Sequence, residues 1–295
     1  MNFILKCLYV LPLLTRFSIM LTAQTISYDA SRPELKKIEP YQLAVTYDKT
    51  THLIFPSRVR YVDLGSGYII AGKAEGVENV LRVKAAIDGF KVATNFSVIT
   101  DNGRFYNFNV NYDKVPLTLN YDLTALAGKP QNNTALFPEL GTATPRSVDK
   151  TLSNIYRENK KNLYYGKSRS YGIQFSLKGI YIKDHKLYFH TELKNKTNIP
   201  YLVDFIHFKI VDKKMAKRTV SQQQIVTPLR EYQPFSEIKG QSAIRNVFLL
   251  DQFTLADDKI LLIEIFEKNG GRHQVLKVKN SDLVKASLIK NLGAK

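Results

Sequence analysis

The side chains with the widest chemical range in this chain are five histidines: His52, His185, His190, His207 and His273. Imidazole ligates metals and moves protons near neutral pH, but both jobs need a second group at a fixed spacing. A helical zinc pair would read His-Glu-x-x-His, and no such run occurs. His185 and His190 are an odd number of residues apart. On one strand they would face opposite sides, so joint ligation of a metal is not expected. His207 lies in an apolar stretch, where a buried, hydrogen-bonded imidazole is the expectation. A serine nucleophile elbow needs Gly-x-Ser-x-Gly after a strand; Gly65-Ser66-Gly67 reads instead as a turn. Asp257-Asp258 could suggest paired carboxylates, but Lys259 follows and a solvated turn suffices. No phosphate-binding loop or dinucleotide fingerprint is present. Catalytic residues, metal ligands and cofactors are therefore expected to be none, and the chain reads as non-enzymatic.

Cysteine chemistry is equally restricted. The single Cys, Cys7, excludes a disulfide framework and any Cys-based structural zinc cluster. It also falls in a segment unlike the rest. Residues 1–23 contain Lys6 and Arg16 but no acid, with apolar stretches at 7–14 and 18–21. Thr22-Ala23 before Gln24 supplies a small-residue cleavage site, so a cleaved export signal is predicted. The uninterrupted apolar runs fall short of the roughly 20 residues that a helical membrane span needs. The mature protein is expected to be soluble or peripherally attached.

The elements that must carry any site read as β-strands. From Tyr41 the dominant period is two. The clearest unit is a hairpin, with strands at 94–100 and 105–110 around Asp101-Asn102-Gly103. Short strands punctuated by Gly, Pro and Asn indicate sandwiches rather than a parallel α/β sheet. The pattern lapses between Leu126 and Asn162, where Gly128, Pro130, Pro138, Gly141 and Pro145 cluster. A short helix is expected from Ser147 towards Lys161. Strands then resume, and the nearly all-apolar stretch 260–267 is expected to be central. Leu283, Val284 and Leu288 fall at helical spacing, predicting an amphipathic helix over 281–291 capped by Asn280 or Ser281. The fold class is thus all-β: two β-sandwich domains, a loop-rich connector with a short helix, and a short C-terminal helix. The expected boundaries are a signal peptide at 1–23, a first sandwich at 24–125, a connector at 126–164 and a second sandwich at 165–295.

Charge is distributed unevenly over this plan. The chain carries 43 Lys+Arg against 26 Asp+Glu, a net of +17. Residues 151–295 hold 26 basic and 13 acidic side chains, whereas residues 24–150 hold 15 and 13. Two groups stand out as basic surface candidates. One is Arg157, Lys160, Lys161, Lys167 and Arg169, with Tyr164-Tyr165 interleaved; the other is Lys213, Lys214, Lys217 and Arg218. Such stripes can hold phosphates and stack bases. An exported protein does not ordinarily meet chromosomal DNA, so direct DNA binding is disfavoured. Plain solvated charge accounts for such a surface, and an acidic protein or an envelope surface is the partner it would otherwise suit.

Several segments carry a family resemblance. The run Thr51-His52-Leu53-Ile54-Phe55-Pro56-Ser57-Arg58-Val59-Arg60-Tyr61-Val62-Asp63-Leu64-Gly65 resembles the start of the TraN family of conjugative transposon proteins. Residues 79–85, residues 94–111 and Glu267-Lys268-Asn269-Gly270-Gly271-Arg272 continue the likeness, which runs from about Tyr41 to Leu283. A more distant likeness is to the outer-membrane-core β-sandwich subunit of type IV secretion systems. It rests on the strand before Pro56, the Arg58-Val59 pair, the Gly65 turn, and a threonine-bearing strand returning through a Gly turn. No residue set carries over from that family as a docking site.

The resemblance implies a structural component of the mating apparatus, periplasmic and outer-membrane associated. It would bind other mating-apparatus subunits and sit in an oligomeric ring. The competing expectation is a secreted or surface β-sandwich adhesin or carbohydrate-binding protein, with exposed Tyr164-Tyr165 lining a shallow groove. Asn95-Phe96-Ser97, Asn132-Asn133-Thr134 and Asn195-Lys196-Thr197 fit the N-glycosylation pattern, but so short a pattern occurs by chance often enough to support no inference.

Overall fold

The chain is all-β, with sandwich-like packing and short helices. A computed structural model describes residues 37–126, 134–163, 166–213 and 223–289. The signal reading for residues 1–23 lies outside them, as do Tyr164, Tyr165, Lys214, Lys217 and Arg218. Every element below belongs to the compact unit Glu39–Lys295.

Among the described residues the first sandwich uses eight strands. They are β1 (Tyr41–Val45), β2 (Thr51–Ile54), β3 (Val59–Leu64), β4 (Ile69–Ala74), β5 (Val77–Ala85), β6 (Thr94–Thr100), β7 (Phe105–Tyr112) and β8 (Asn120–Asp122). One sheet has the order β1-β7-β6-β3 and the other β4-β5-β2-β8. Alternation decides what each face does. Phe96, Val98, Tyr106, Phe108 and Val110 point inward against Leu53, Phe55, Leu81 and Val83, all buried. Phe96 stacks on Phe108 with ring centroids 4.6 Å apart. The intervening residues of β6 and β7 face outward, with Asn95 opposite Asn109 and Ser97 opposite Asn107.

The β6–β7 hairpin turns where expected, and Gly103 carries its positive φ of 78°. Gly103 also has a second task. A Cβ there would lie 2.9 Å from both Pro145 and Thr134, so only a bare Cα lets the connector pack on the turn.

The connector builds a helix, α1 (Pro145–Glu158). Thr144 caps it by accepting the Ser147 N–H at 3.2 Å, and Pro145 suits the first turn because its missing N–H would be unpaired there. It stops at Asn159, whose left-handed φ of 51° closes the last turn. The helix therefore starts two residues earlier than expected. Val148, Leu152 and Ile155 form its buried stripe.

The second sandwich follows. Its strands are β9 (Lys167–Ser170), β10 (Ile173–Lys183), β11 (Lys186–Asn195), β12 (Tyr201–Asp212), β13 (Gln224–Val226), β14 (Arg230–Glu231), β15 (Glu237–Ile238), β16 (Ser242–Asp251), β17 (Lys259–Glu267) and β18 (Gln274–Val278). Helix α2 (Asn280–Val284) and β19 (Ser287–Leu288) end it. One sheet runs β14-β16-β11-β10-β19, with β9 also on β10; the other runs β13-β12-β17-β18, with β15 also on β12. β17 is interior, as its apolar run predicts. Asp184 and His185, at φ 50° and 56°, form the tight turn between β10 and β11.

β11 is buried on both faces. Phe189 and Leu193 enter the sandwich core, while Tyr188 meets α1 together with Val247 and Leu249 of β16. Each face of that sheet thus has its own apolar cover.

The C-terminal helix is shorter than expected. It ends at Val284, and Ser287-Leu288 instead pair in parallel with Tyr181-Ile182 of β10. Only Leu283 of the predicted stripe is buried; Val284 and Leu288 are exposed. The open edge of β10 offers backbone hydrogen bonds that a further helical turn with one buried side chain does not match.

Candidate interaction surfaces

The outer face of the β13-β12-β17-β18 sheet carries the most unusual side chains. Val203 pairs with Glu267 and Ile206 with Ile265, so Asp204 and Phe205 together oppose Phe266 alone. That is a bulge, and a bulge re-aims side chains. Phe205 and His207 now stack on the outside at 4.5 Å, and Phe205 meets Phe266 at 4.5 Å. Phe266 in turn stacks on His273 at 5.8 Å. Phe205 remains 40% exposed, and Leu202 and Ile225 are exposed as well.

His207 is therefore corrected from the sequence expectation: it is exposed and stacked, not buried. The bulge inverts the side that simple alternation would assign. Beside these rings, β15 pairs only with Tyr201-Leu202 and β13 only with Phe208–Ile210. Among the described residues no strand pairs with that edge of β12 from Asp204 to His207. Its backbone groups and rings are presented together.

The basic candidates fall in separate places. Arg157 at the end of α1 is exposed and donates to Asn154, and Lys160 pairs with Glu158 at 3.1 Å. Lys161 is exposed in the loop that follows. Lys167 and Arg169 alternate outward on the short strand β9. Lys213 is exposed at the end of β12, where its ammonium donates to the Asp257 carbonyl. Lys213 and the α1 group thus belong to opposite sheets of the second sandwich.

The remaining histidines also separate. His185 is in a turn, 3.3 Å from Gln252. His190 is fully buried between β10 and β16, and neither ring nitrogen has a hydrogen-bond partner. Burial pushes its pKa down to about 4, and Lys178 and Arg245 push the same way. The Lys160 backbone acts weakly in the opposite sense. Among the described residues no group of three or more His, Cys, Asp or Glu could hold a metal ion. Asn195 is buried and its amide donates to Ile199 and Ile238 carbonyls.

Where the first sandwich meets the connector and β14, Arg60 pairs with Glu139 at 2.6 Å and Arg230 reaches the same oxygen at 3.4 Å. Both guanidiniums lie over the Phe137 ring. Burial would raise the Glu139 pKa, but its backbone hydrogen bond and the two arginines outweigh that and lower it. A polar cleft of about 420 Å³ opens alongside, lined by Arg58, Asp101, Asp149, Arg230 and Glu231. Asp149 lines this cleft on the exposed side of α1. Desolvation brings its pKa to about 6, with Asp101 raising it further and Arg230 opposing.

Two families match parts of the chain, each described as a domain of unknown function. DUF8473 matches residues 43–116, within the first sandwich. DUF4138 matches residues 145–288, beginning at the first residue of α1 and ending at the last of β19. No curated protein shows a significant match to the chain.

Proposed function

We propose that this chain is a structural, exported component of a conjugative DNA-transfer apparatus, acting by protein–protein assembly at the periplasmic side of the outer membrane. The reading combines the TraN-like segments with one structural observation. A bulge in β12 presents Phe205, His207 and Phe266 on the outer sheet face, beside a strand edge that no described strand pairs from Asp204 to His207. Rings and an open backbone edge are what a partner strand needs for docking by β-addition. The bracket of Arg60, Glu139, Arg230 and Phe137 would hold the first sandwich against the connector, as a scaffold subunit requires.

The test uses the tagged full chain expressed beside the element it serves. After envelope isolation, mating-apparatus subunits should co-purify with it and be identified by mass spectrometry. Phe205→Ala with Phe266→Ala should reduce that capture about tenfold or more while the purified protein still melts cooperatively. Recovery of the chain uncleaved from the cytoplasm, without those partners, overturns the proposal.

A further inference from the structure

The outward face of β1, β7 and β6 has a composition that strand physics does not ask for. Asn is depleted in strands because it packs poorly on a pleated surface. Yet Asn95, Asn107, Asn109 and Asn111 all stand on this face, joined by Gln42 and Ser97. The inward partners Phe96, Phe108 and Val110 are buried, so alternation leaves these amides facing solvent. A solvated sheet face usually gains solubility from Lys and Glu; here the only charged side chain among the paired outward positions is Asp63, at the β3 margin.

The amides are also arranged. Gln42, Asn109 and Asn95 lie in register across three strands, and Asn109 donates to Gln42 at 3.0 Å. Asn95 lies over Gly65, where a Cβ would come within 2.1 Å of its side-chain oxygen. The end of β3 is thus trimmed to bare backbone to make room for that amide. Asn95, Asn107 and Asn111 have no side-chain hydrogen bond to the protein among the described residues, which leaves their donors and acceptors free. At the margin, Tyr61 pairs with Ile99 on the same face and is 54% exposed.

Free amides carry donor and acceptor side by side, which matches hydroxyls that are both at once. An exposed phenol ring offers an apolar surface for the C–H side of a pyranose. The one cation at its margin, Arg60 in the β3 bulge, is already paired with Glu139, which disfavours nucleic acid and acidic peptides on this face. We infer that this face binds a glycan strand of uncharged sugar rings, with the Asn and Gln amides taking hydroxyls and Tyr61 taking a ring. The inference does not rest on the assembly proposal.

The full chain, purified alone, is tested for co-sedimentation with insoluble chitin and with purified bacterial sacculi, each at low and high salt. Retention on at least one solid, insensitive to salt, is expected. Asn107→Thr with Asn109→Thr should cut it about tenfold. Because Thr suits strands better than Asn, that variant should melt no lower than the parent, which separates binding from folding. Tyr61→Ala provides a second, independent loss.

No retention on either solid overturns the inference. So does equal retention of the variants. Retention abolished by salt and unchanged in the variants would place binding on the basic second half instead. Purified components decide the matter, so failure here leaves the assembly test unaffected.

Discussion

Arg60 on β3 meets Glu139 of the connector at 2.6 Å and lies 4.0 Å above the Phe137 ring. One guanidinium thus makes both an ion pair and a ring contact between the first sandwich and the segment leading to α1. Arg60→Met should cost about 1–2 kcal/mol, since the side chain is partly exposed and Arg230 still holds Glu139. Thermal melting reads the loss, and a double-mutant cycle with Glu139→Gln isolates the pair.

Gly103 should tolerate no side chain. Its φ of 78° strains an L-residue, and a Cβ would press on Pro145 and Thr134. Gly103→Ala should lower stability by about 1–3 kcal/mol and speed proteolytic cutting of the connector. An unchanged melting curve would mean the turn does not dock as described.

His190 sets an acid limit. The unfolded chain protonates this imidazole near its ordinary value, whereas the folded chain resists until about pH 4. Stability is therefore full above about pH 6.5 and falls as pH drops towards 4, by about 3 kcal/mol from this group. His190→Leu should flatten that fall, measured by denaturant unfolding across the window. It should cost little at neutral pH, because the buried ring makes no hydrogen bond of good geometry and only the Lys160 backbone lies near enough to favour its charged form.

Asp149 works in the opposite direction. Its folded pKa of about 6 lies above the ordinary carboxylate value, so the folded state is penalised as pH rises through the interval between them. Asp149→Asn should remove that penalty and raise the melting temperature at neutral pH. Solvent at the rim screens the charge, so the gain should be under about 1 kcal/mol.

Arg272 locks the turn after β17. It pairs with Glu267, donates to the Pro200 carbonyl at 2.8 Å and to Thr197 at 3.0 Å, and covers the Tyr201 ring. Lys cannot reproduce that fork. Arg272→Lys should cost about 1–3 kcal/mol in chemical denaturation, and parity with the parent would refute the network.

Much of the architecture was legible from residue order. Period-two alternation in 94–100 and 105–110 identified a hairpin with one buried face, and Gly103 marked its turn, because both signals are local. The apolar run 260–267 announced an interior strand for the same reason. Surfaces were less legible. His207 reads as buried because its stretch is apolar, but which face it takes is set by a bulge that depends on how β12 registers with β17. Leu288 reads as helical until the edge of β10 competes for its backbone. The amide face is invisible as a face in the linear order, since Gln42 and Asn109 become neighbours only when β1 adds in parallel to β7. Sequence alone determined which stretches become strands, because that choice is made by neighbours along the chain. Tertiary structure alone decided which side chains share a surface, because pairing between distant strands fixes register, and register fixes the face.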